Sequence, residues 1–233
     1  MYRALLIILM LPLLLGQQYN VPFNPRAAAA GGAHIEDLFT VDSDADWTEC
    51  GAWTITIDGA DSNYMKSDGA TGASLHSTPM TTATSYGCME VLESSARYPG
   101  HMFRANSDGT NTSYALRNEA NATVAWRYCD CASCTTIESS AQTLLDSDYL
   151  AYIVSGTGDA TEVKWFVFAN ATGCTGCDGS DCDTSGWAGA ARLTGTFTNN
   201  PPADAELSTN RYVGTYAGSS TGGRFDSFYA GDD

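Results

Sequence analysis

The stretch that decides the fold reads Leu150-Ala-Tyr-Ile-Val-Ser155, then Gly156-Thr-Gly-Asp-Ala-Thr161, then Val163-Lys-Trp-Phe-Val-Phe168. The two outer runs are rich in β-branched and aromatic residues, which favour strands. The segment between them carries two glycines, which are typical of a tight turn. The stretch therefore predicts an antiparallel β-hairpin.

The same pattern of short apolar runs separated by turn residues continues along the chain. Many short strands at roughly regular spacing indicate an all-β fold, a two-sheet antiparallel sandwich. A helix is expected only at 138–145. The candidate strands are 37–41, 53–57, 87–92, 100–105, 113–117, 123–128, 149–155, 162–169, 190–198, 211–217 and 223–230.

Charge and composition exclude whole classes of protein. The chain has 233 residues, of which 27 are acidic and 11 basic, giving a formal net charge of −16. A surface this negative repels phosphate backbones, so we expect no nucleic-acid partner. Hydrophobic residues make up 43% of the chain, and this content predicts a folded core rather than intrinsic disorder.

The N-terminus has the pattern of a secretory signal peptide over residues 1–16. Arg3 precedes an apolar stretch at 4–15, which as a helix would reach about 18 Å, short of a bilayer core of about 30 Å. The chain has no second apolar run, so we expect a secreted protein without a membrane span. A Pro/Ala/Gly-rich linker or arm is predicted at 17–33, followed by one domain at 34–233.

Eight cysteines are consistent with export. Six of them fall in two clusters whose CxxC spacing could also hold zinc, but an oxidising compartment favours disulfides. Spacing alone leaves the connectivity open, and our preferred arrangement joins the two clusters to each other and pairs Cys50 with Cys88. The eight residues are Cys50, Cys88, Cys129, Cys131, Cys134, Cys174, Cys177 and Cys182.

Several motifs, taken in order, resemble one superfamily. They are Asp37-Leu-Phe-Thr40, Gly51-Ala-Trp-Thr-Ile55, Gly100-His-Met-Phe-Arg104, the hairpin of the opening stretch, Tyr212-Val-Gly-Thr-Tyr216 and Arg224-Phe-Asp-Ser-Phe228. This order resembles the concanavalin A-like lectin/glucanase jelly rolls of the laminin-G-like kind, over residues 35 to 233. The resemblance implies a jelly-roll sandwich with the first and last strands side by side and the cysteine clusters as loop insertions. Phe39 and Val41 would then share a core layer with Phe225 and Phe228.

Glucanases of this superfamily use two glutamates on one strand, and the nearest candidates here are Glu90 and Glu93. Hydrolysis needs two carboxyl groups about 5 Å apart on one face. An offset of three in a strand points them to opposite faces unless a bulge intervenes. No histidine lies in a nucleophile motif either. We therefore expect a protein that is not an enzyme.

Calcium is the cofactor that the resemblance implies, because many relatives hold Ca²⁺ near a rim or where the terminal strands meet. The fold would bring Glu36 and Asp37 of the first strand near Asp226 of the last. Oxygen donors of this kind suit a structural calcium ion. Two further acidic runs, at 42–46 and 178–183, are alternatives, and acidic loops that only solubilise the protein are another.

Three Asn-x-Ser/Thr sequons are candidates for glycosylation in an exported protein. They are at Asn111, Asn121 and Asn170.

The sequence favours a secreted, non-catalytic jelly-roll module for carbohydrate recognition or adhesion, whose partner is a glycan or cell-surface ligand. An alternative is a structural subunit of an extracellular filament, coat or virus particle, whose partner is a copy of itself and whose arm at 17–33 adds to a neighbouring sheet. A third interpretation is a glycoside hydrolase. Aromatic side chains outside the obvious strands are candidates for ligand contact: Trp47, Tyr64, Tyr86 and Trp187.

Overall fold

The computed structural model describes residues 32–39, 43–51, 55–57, 65–67, 72–92, 98–107, 112–119, 122–130, 133–169, 174, 177, 182–199, 209–217 and 224–233. Several of the sequence-based predictions lie outside these residues: the signal peptide, most of the arm at 17–33, Tyr64, Glu93, Cys131 and the three sequons. Fifteen strands and one short α-helix lie in the described part of the chain. No helix in that part is long and apolar enough to cross a membrane.

The first eight strands are β1 (His34–Asp37), β2 (Trp47–Gly51), β3 (Ile55–Ile57), β4 (Met65–Ser67), β5 (Gly72–His76), β6 (Ser85–Leu92), β7 (Pro99–Ala105) and β8 (Thr112–Glu119). The remaining elements are β9 (Thr123–Asp130), β10 (Ser133–Ala141), β11 (Asp148–Ser155), β12 (Glu162–Phe168), the helix α1 (Trp187–Ala190), β13 (Leu193–Phe197), β14 (Tyr212–Ala217) and β15 (Arg224–Asp232).

The strands form two antiparallel sheets. Sheet A has the order β13-β12-β11-β6-β15-β4-β3, and β1 also pairs with β15. Sheet B has the order β10-β9-β8-β7-β14-β5-β2. The predicted all-β, two-sheet antiparallel sandwich is confirmed. The first strand lies beside the last, with Ile35 opposite Ala230 and Asp37 opposite Phe228.

The opening hairpin forms as predicted, with β11 and β12 in register from Tyr149 opposite Phe168 to Ser155 opposite Glu162. The predicted helix at 138–145 is wrong. Residues up to Ala141 belong to β10, which pairs along β9, and the residues after it are irregular. Pairing with a neighbouring strand overrides the weak helical preference of this polar segment. The sequence prediction also missed β2, β4 and β5.

The main core lies between the sheets and is rich in aromatic rings. Phe103 of sheet B stacks on Tyr152 of sheet A with ring centroids 4.4 Å apart. Phe39, Phe225 and Phe228 are fully buried in this core, as the sequence predicts. Val41, the fourth member of the predicted layer, lies outside the described residues.

A second core covers the outer face of sheet A. Side chains of β6, β11 and β12 that point away from the main core pack against residues of the second cysteine cluster and residues in or next to the short helix: Cys174, Cys177, Cys182, Trp187 and Ala191. Trp187 meets both Phe166 and Phe168 edge-on, at centroid distances of 5.5 and 5.7 Å. The cysteine-rich insertion therefore seals this face of the sheet.

The disulfides correct the predicted pairing. Cys88 bonds to Cys174, while each cluster also closes on itself through Cys129–Cys134 and Cys177–Cys182. Cys129 and Cys134 lie directly opposite each other on β9 and β10. The preferred pairing of Cys50 with Cys88 is wrong because the two residues belong to different sheets and pack in different cores. Cys50 is itself disulfide-bonded.

Two polar side chains fasten the loops at the rim. Arg104 is 3% exposed and donates to the carbonyl oxygens of Ala83 and Gly156 and to the hydroxyl of Thr161. Asp232 accepts from the backbone amides of Ala33, Thr81 and Thr82 and from both threonine hydroxyls. These contacts hold the hairpin turn and the loop before β6 in fixed positions.

Candidate functional site

The outer face of sheet B carries a group of polar and aromatic side chains that we call the arginine–tyrosine site. It consists of Tyr98, Arg117, Glu119, Arg127 and Tyr216. Tyr98 directly precedes β7, and the others come from β8, β9 and β14; these four strands are neighbours in the sheet. Side chains two residues apart in a strand point to the same face, and this places Arg117 and Glu119 together.

A glycine makes the contact across β7 possible. Gly100 lies between Arg117 on one side and Tyr216 on the other in the strand register. A Cβ atom at Gly100 would collide with the backbone of Leu116 and with the side chain of Arg117. Without it, Nη1 of Arg117 reaches the hydroxyl of Tyr216 at 3.3 Å.

Both arginines share one carboxylate. Arg117 donates from Nε and Nη2 to Oε1 of Glu119 at 3.1 and 2.9 Å, and Arg127 donates from Nη1 to the same oxygen. Nη2 of Arg127 donates to the carbonyl oxygen of Cys134. The Cys129–Cys134 disulfide thus holds the acceptor that orients Arg127.

Tyr98 supplies a partly exposed aromatic ring. It is half-buried, and Arg117 lies over its ring with the guanidinium carbon 5.4 Å from the ring centroid. The backbone of Tyr98 has φ of 44°, in the left-handed region that a bulky side chain rarely adopts. Such strained residues persist where the surrounding structure fixes them, and they cluster at functional sites.

The electrostatics keep the site charged. Partial burial favours protonated Glu119, but the hydrogen bonds and charge of Arg117, followed by those of Arg127, hold the pKa of Glu119 below its usual value. Burial raises the pKa of Tyr216, and the charge of Arg117 opposes this effect only in part. The site therefore presents two guanidinium groups and one carboxylate, while the phenol of Tyr216, only 1% exposed, stays neutral and lies inside the protein.

The arrangement can bind a polar ligand but holds no obvious nucleophile. The side chains of Arg117, Glu119 and Arg127 keep 12%, 28% and 14% of their surface exposed. Among the described contacts, Oε2 of Glu119 accepts no hydrogen bond, and the Nη atoms of both arginines keep unused N–H groups, whereas the unpartnered Nε of Arg127 is buried. A flat ring, free donors and a free acceptor side by side are what a sugar requires.

The predicted catalytic candidate Glu90 lies elsewhere, on the outer side of sheet A. It faces Asp226 across β6 and β15 and accepts a hydrogen bond from the Tyr149 hydroxyl at 3.1 Å. Burial, followed by the charge of Glu90, raises the pKa of Asp226 to about 6. Burial, followed by the same charge, raises the pKa of Tyr149. The carboxylate next to Glu90 is thus Asp226, on the other strand.

Three of the four predicted ligand-binding aromatics are inside the protein. Trp47, Tyr86 and Trp187 are 7%, 1% and 2% exposed. Trp47 packs edge-on against Phe228 and donates to Asp37, and Tyr86 packs edge-on against Trp187. Rings this deeply buried offer no face to a ligand in this conformation, so their predicted role has no structural support.

The predicted calcium ligands lie on neighbouring strands, but their side chains do not converge on one point. Both carboxylate oxygens of Asp37 are engaged, by the amide of Phe39 and by Ser43 and Trp47. Glu36 lies opposite Tyr229, three residues beyond Asp226. Among the described residues, no group of three or more His, Cys, Asp or Glu side chains is placed to hold a metal ion. Calcium binding stays a prediction.

Sequence reasoning missed the arginine–tyrosine site, although part of it has a sequence signal. The predicted strand at 113–117 stops two residues before Glu119, so it does not show that Arg117 and Glu119 lie on one face. The contributions of Tyr98, Arg127 and Tyr216 depend on strand order, which a single sequence does not contain.

No protein-family model and no curated protein matches the chain. Solved structures do resemble it in fold. The GH43 protein BlXynB from Bacillus licheniformis is 10% identical with a TM-score of 0.52, and the match covers 84% of this chain but 38% of that protein. Peanut lectin, solved with a nine-residue peptide, is 8% identical with a TM-score of 0.51, over 87% of this chain and 97% of the lectin.

A protein of unknown function from Shewanella oneidensis, SO2946, is 11% identical with a TM-score of 0.50, and the match covers 86% of each chain. At such low identities these likenesses show the fold alone. The chain is a jelly-roll β-sandwich of the kind that lectins share.

Proposed function

We propose that the chain is a secreted, non-catalytic carbohydrate-recognition module of the concanavalin A-like kind. It binds glycan at the arginine–tyrosine site on the outer face of sheet B. The observation that carries the proposal is the half-buried ring of Tyr98, held over Arg117 beside the free oxygen of Glu119. A peanut lectin and a GH43 protein of similar fold support it as an analogy of fold.

The geometry matches the demands of sugar binding. A pyranose ring offers an apolar C–H face, which packs on an aromatic ring, and hydroxyl groups that both donate and accept. Tyr98 supplies the ring, Arg117 and Arg127 supply donors, and Glu119 supplies an acceptor. Three of the four groups lie on strands and Tyr98 directly precedes β7, so little side-chain freedom is lost when a ligand binds.

The experiment is a polysaccharide-binding screen by affinity electrophoresis, with and without a chelator, on the secreted protein and on Tyr98→Ala. Tyr229→Ala is the matched control, because Tyr229 is a half-buried tyrosine on sheet A. We expect Tyr98→Ala to weaken binding at least tenfold and Tyr229→Ala to leave it within twofold, with both proteins folded. Equal losses in the two variants would contradict the proposal. The chelator arm tests the predicted calcium ion.

An assembly subunit is the second candidate, and one observation favours it. Strand β10 is nine residues long, mostly exposed, rich in Ser and Thr, and pairs only with β9 among the described strands. Such an edge leaves backbone groups open to a strand from another copy. Light scattering coupled to size exclusion separates the candidates, because a monomer, which has a mass of at most 24.7 kDa, contradicts assembly.

A further inference from the structure

Resting on the proposed function, we infer that the arginine–tyrosine site selects glycans that carry an anionic substituent, either a carboxylate or a sulfate ester. The sharing of one glutamate between two arginines, with unused donors left over, points to this ligand class.

The donors outnumber the acceptors that the protein provides. Each guanidinium has five N–H groups, so Arg117 and Arg127 together have about ten. Five hydrogen bonds use them: three to Glu119, one to Tyr216 and one to the Cys134 carbonyl. Nε of Arg127 is buried and has no partner. Apart from that buried group, about four N–H groups on the Nη atoms therefore remain for a ligand.

Unused guanidinium donors select the ligand by its chemistry. A neutral sugar hydroxyl satisfies one donor at a time, and each hydroxyl also needs an acceptor in return. A carboxylate or a sulfate only accepts, and it can take two parallel N–H groups from one arginine. An anionic substituent therefore matches the surplus of Arg117 and Arg127 better than a neutral ring does.

The charge of the site differs from the charge of the whole chain. The site's own side chains sum to +1, from two arginines and one glutamate, on a chain with a net charge of −16. The long-range field of such a chain repels a polyanion, so a bound acidic polysaccharide cannot be explained by general attraction. Binding would have to come from local contacts.

Glu119 acts in this scheme as a built-in competitor. Its carboxylate already occupies both guanidinium groups, as the carboxylate of a ligand would. Replacing it with glutamine removes the negative charge and keeps the side-chain shape. A glutamate whose role is only to support the fold gives the opposite expectation, because its loss would loosen both arginines and weaken every ligand.

The test is affinity electrophoresis at 0.15 M salt, a concentration at which long-range repulsion is largely screened. The gels contain polygalacturonate, a sulfated galactan or neutral dextran. We expect retardation by one or both acidic polymers and none by dextran. Arg127→Gln should weaken binding about tenfold, as for the loss of one charge-assisted hydrogen bond. Glu119→Gln should strengthen it several-fold. Lys164→Gln removes a positive charge, as Arg127→Gln does, but from an exposed side chain of sheet A, and it should change the binding less than twofold.

The outcomes distinguish a failure of the inference from a failure of the proposed function. Binding of dextran as tightly as of the acidic polymers, or a Glu119→Gln variant that is folded and weaker, overturns the inference and leaves the proposed function standing. A folded protein that binds no polysaccharide in the screen overturns the proposed function, and the inference falls with it. Thermal unfolding of each variant shows that it is folded.

Discussion

Replacing Asp226 with asparagine should stabilise the protein at neutral pH. Asp226 lies directly opposite Glu90 across β6 and β15, where the Cβ atoms of paired residues are about 5 Å apart. Tyr149 donates its hydroxyl to Glu90, whereas among the described residues Asp226 accepts only from the amide and hydroxyl of Ser227. Asparagine keeps that oxygen acceptor and removes the like charge.

The magnitude follows from the pKa of Asp226, which burial and then the charge of Glu90 raise from 3.8 to about 6. Between these values the folded state binds a proton that the unfolded state does not, so the free energy of unfolding falls as the pH rises from about 4 to 6. At about 1.4 kcal/mol per pH unit the upper value is about 3 kcal/mol. Because the carboxylate is half-buried, solvent screening reduces this to about 1.5 kcal/mol.

Urea denaturation followed by tryptophan fluorescence, with the disulfides intact, measures the difference. We expect Asp226→Asn to gain about 1.5 kcal/mol at pH 7.5 and almost nothing at pH 4. The variant must be compared with the wild type because buried His101 also titrates in this range. Desolvation lowers its pKa to about 4, so its contribution makes the free energy of unfolding rise with pH, opposite to the effect of Asp226. In a Glu90→Gln background the gain should shrink. A loss of stability at pH 7.5, or an equal gain at both pH values, would refute the reasoning.

Three further predictions concern the groups that hold the sandwich together. Arg104→Met should lower the free energy of unfolding by about 3 kcal/mol in urea melts, because it leaves buried acceptors, among them the hydroxyl of Thr161, without a hydrogen-bond donor. Asp232→Asn should lower the free energy of unfolding by about 1 kcal/mol at pH 7. Since hydrogen bonds hold the pKa of Asp232 in the folded protein below 3.8, that loss should disappear as the pH falls through this pKa. A loss that stays constant with pH would contradict the role given to the carboxylate. Removing Cys88–Cys174, which spans 86 residues, should lower stability by about 4 kcal/mol, against about 2 for the five-residue Cys129–Cys134 loop, as thermal melts of paired alanine variants would show.

The hairpin of β11 and β12 could be predicted from the sequence because its signal is local. Two apolar runs flank a glycine-bearing turn, and both the strands and their register follow from those residues. Strand β10 could not be predicted, because its polar residues have little preference of their own and β9 alone makes them a strand. The short strands β4 and β5 also have weak signals and form only where neighbours pair with them.

The candidate site was less accessible to prediction than the fold. Aromatic residues outside the clear strands were natural candidates, yet Trp47 and Trp187 fill cores because a large ring gains most free energy when buried. The side chains that meet on sheet B are ordinary strand residues, and Gly100 decides that Arg117 and Tyr216 meet. Strand order across the sheet carries that information.

The position of β15 has a consequence for folding during synthesis. Residues 224–232 form an interior strand of sheet A, between β6 on one side and β1 and β4 on the other. When the ribosome has released the first two hundred residues, β6 still lacks its neighbour, and an unpaired strand edge and part of the aromatic core lie open. Sheet A therefore closes late, and we expect the nascent chain to depend on protection by chaperones until residues 224–232 arrive.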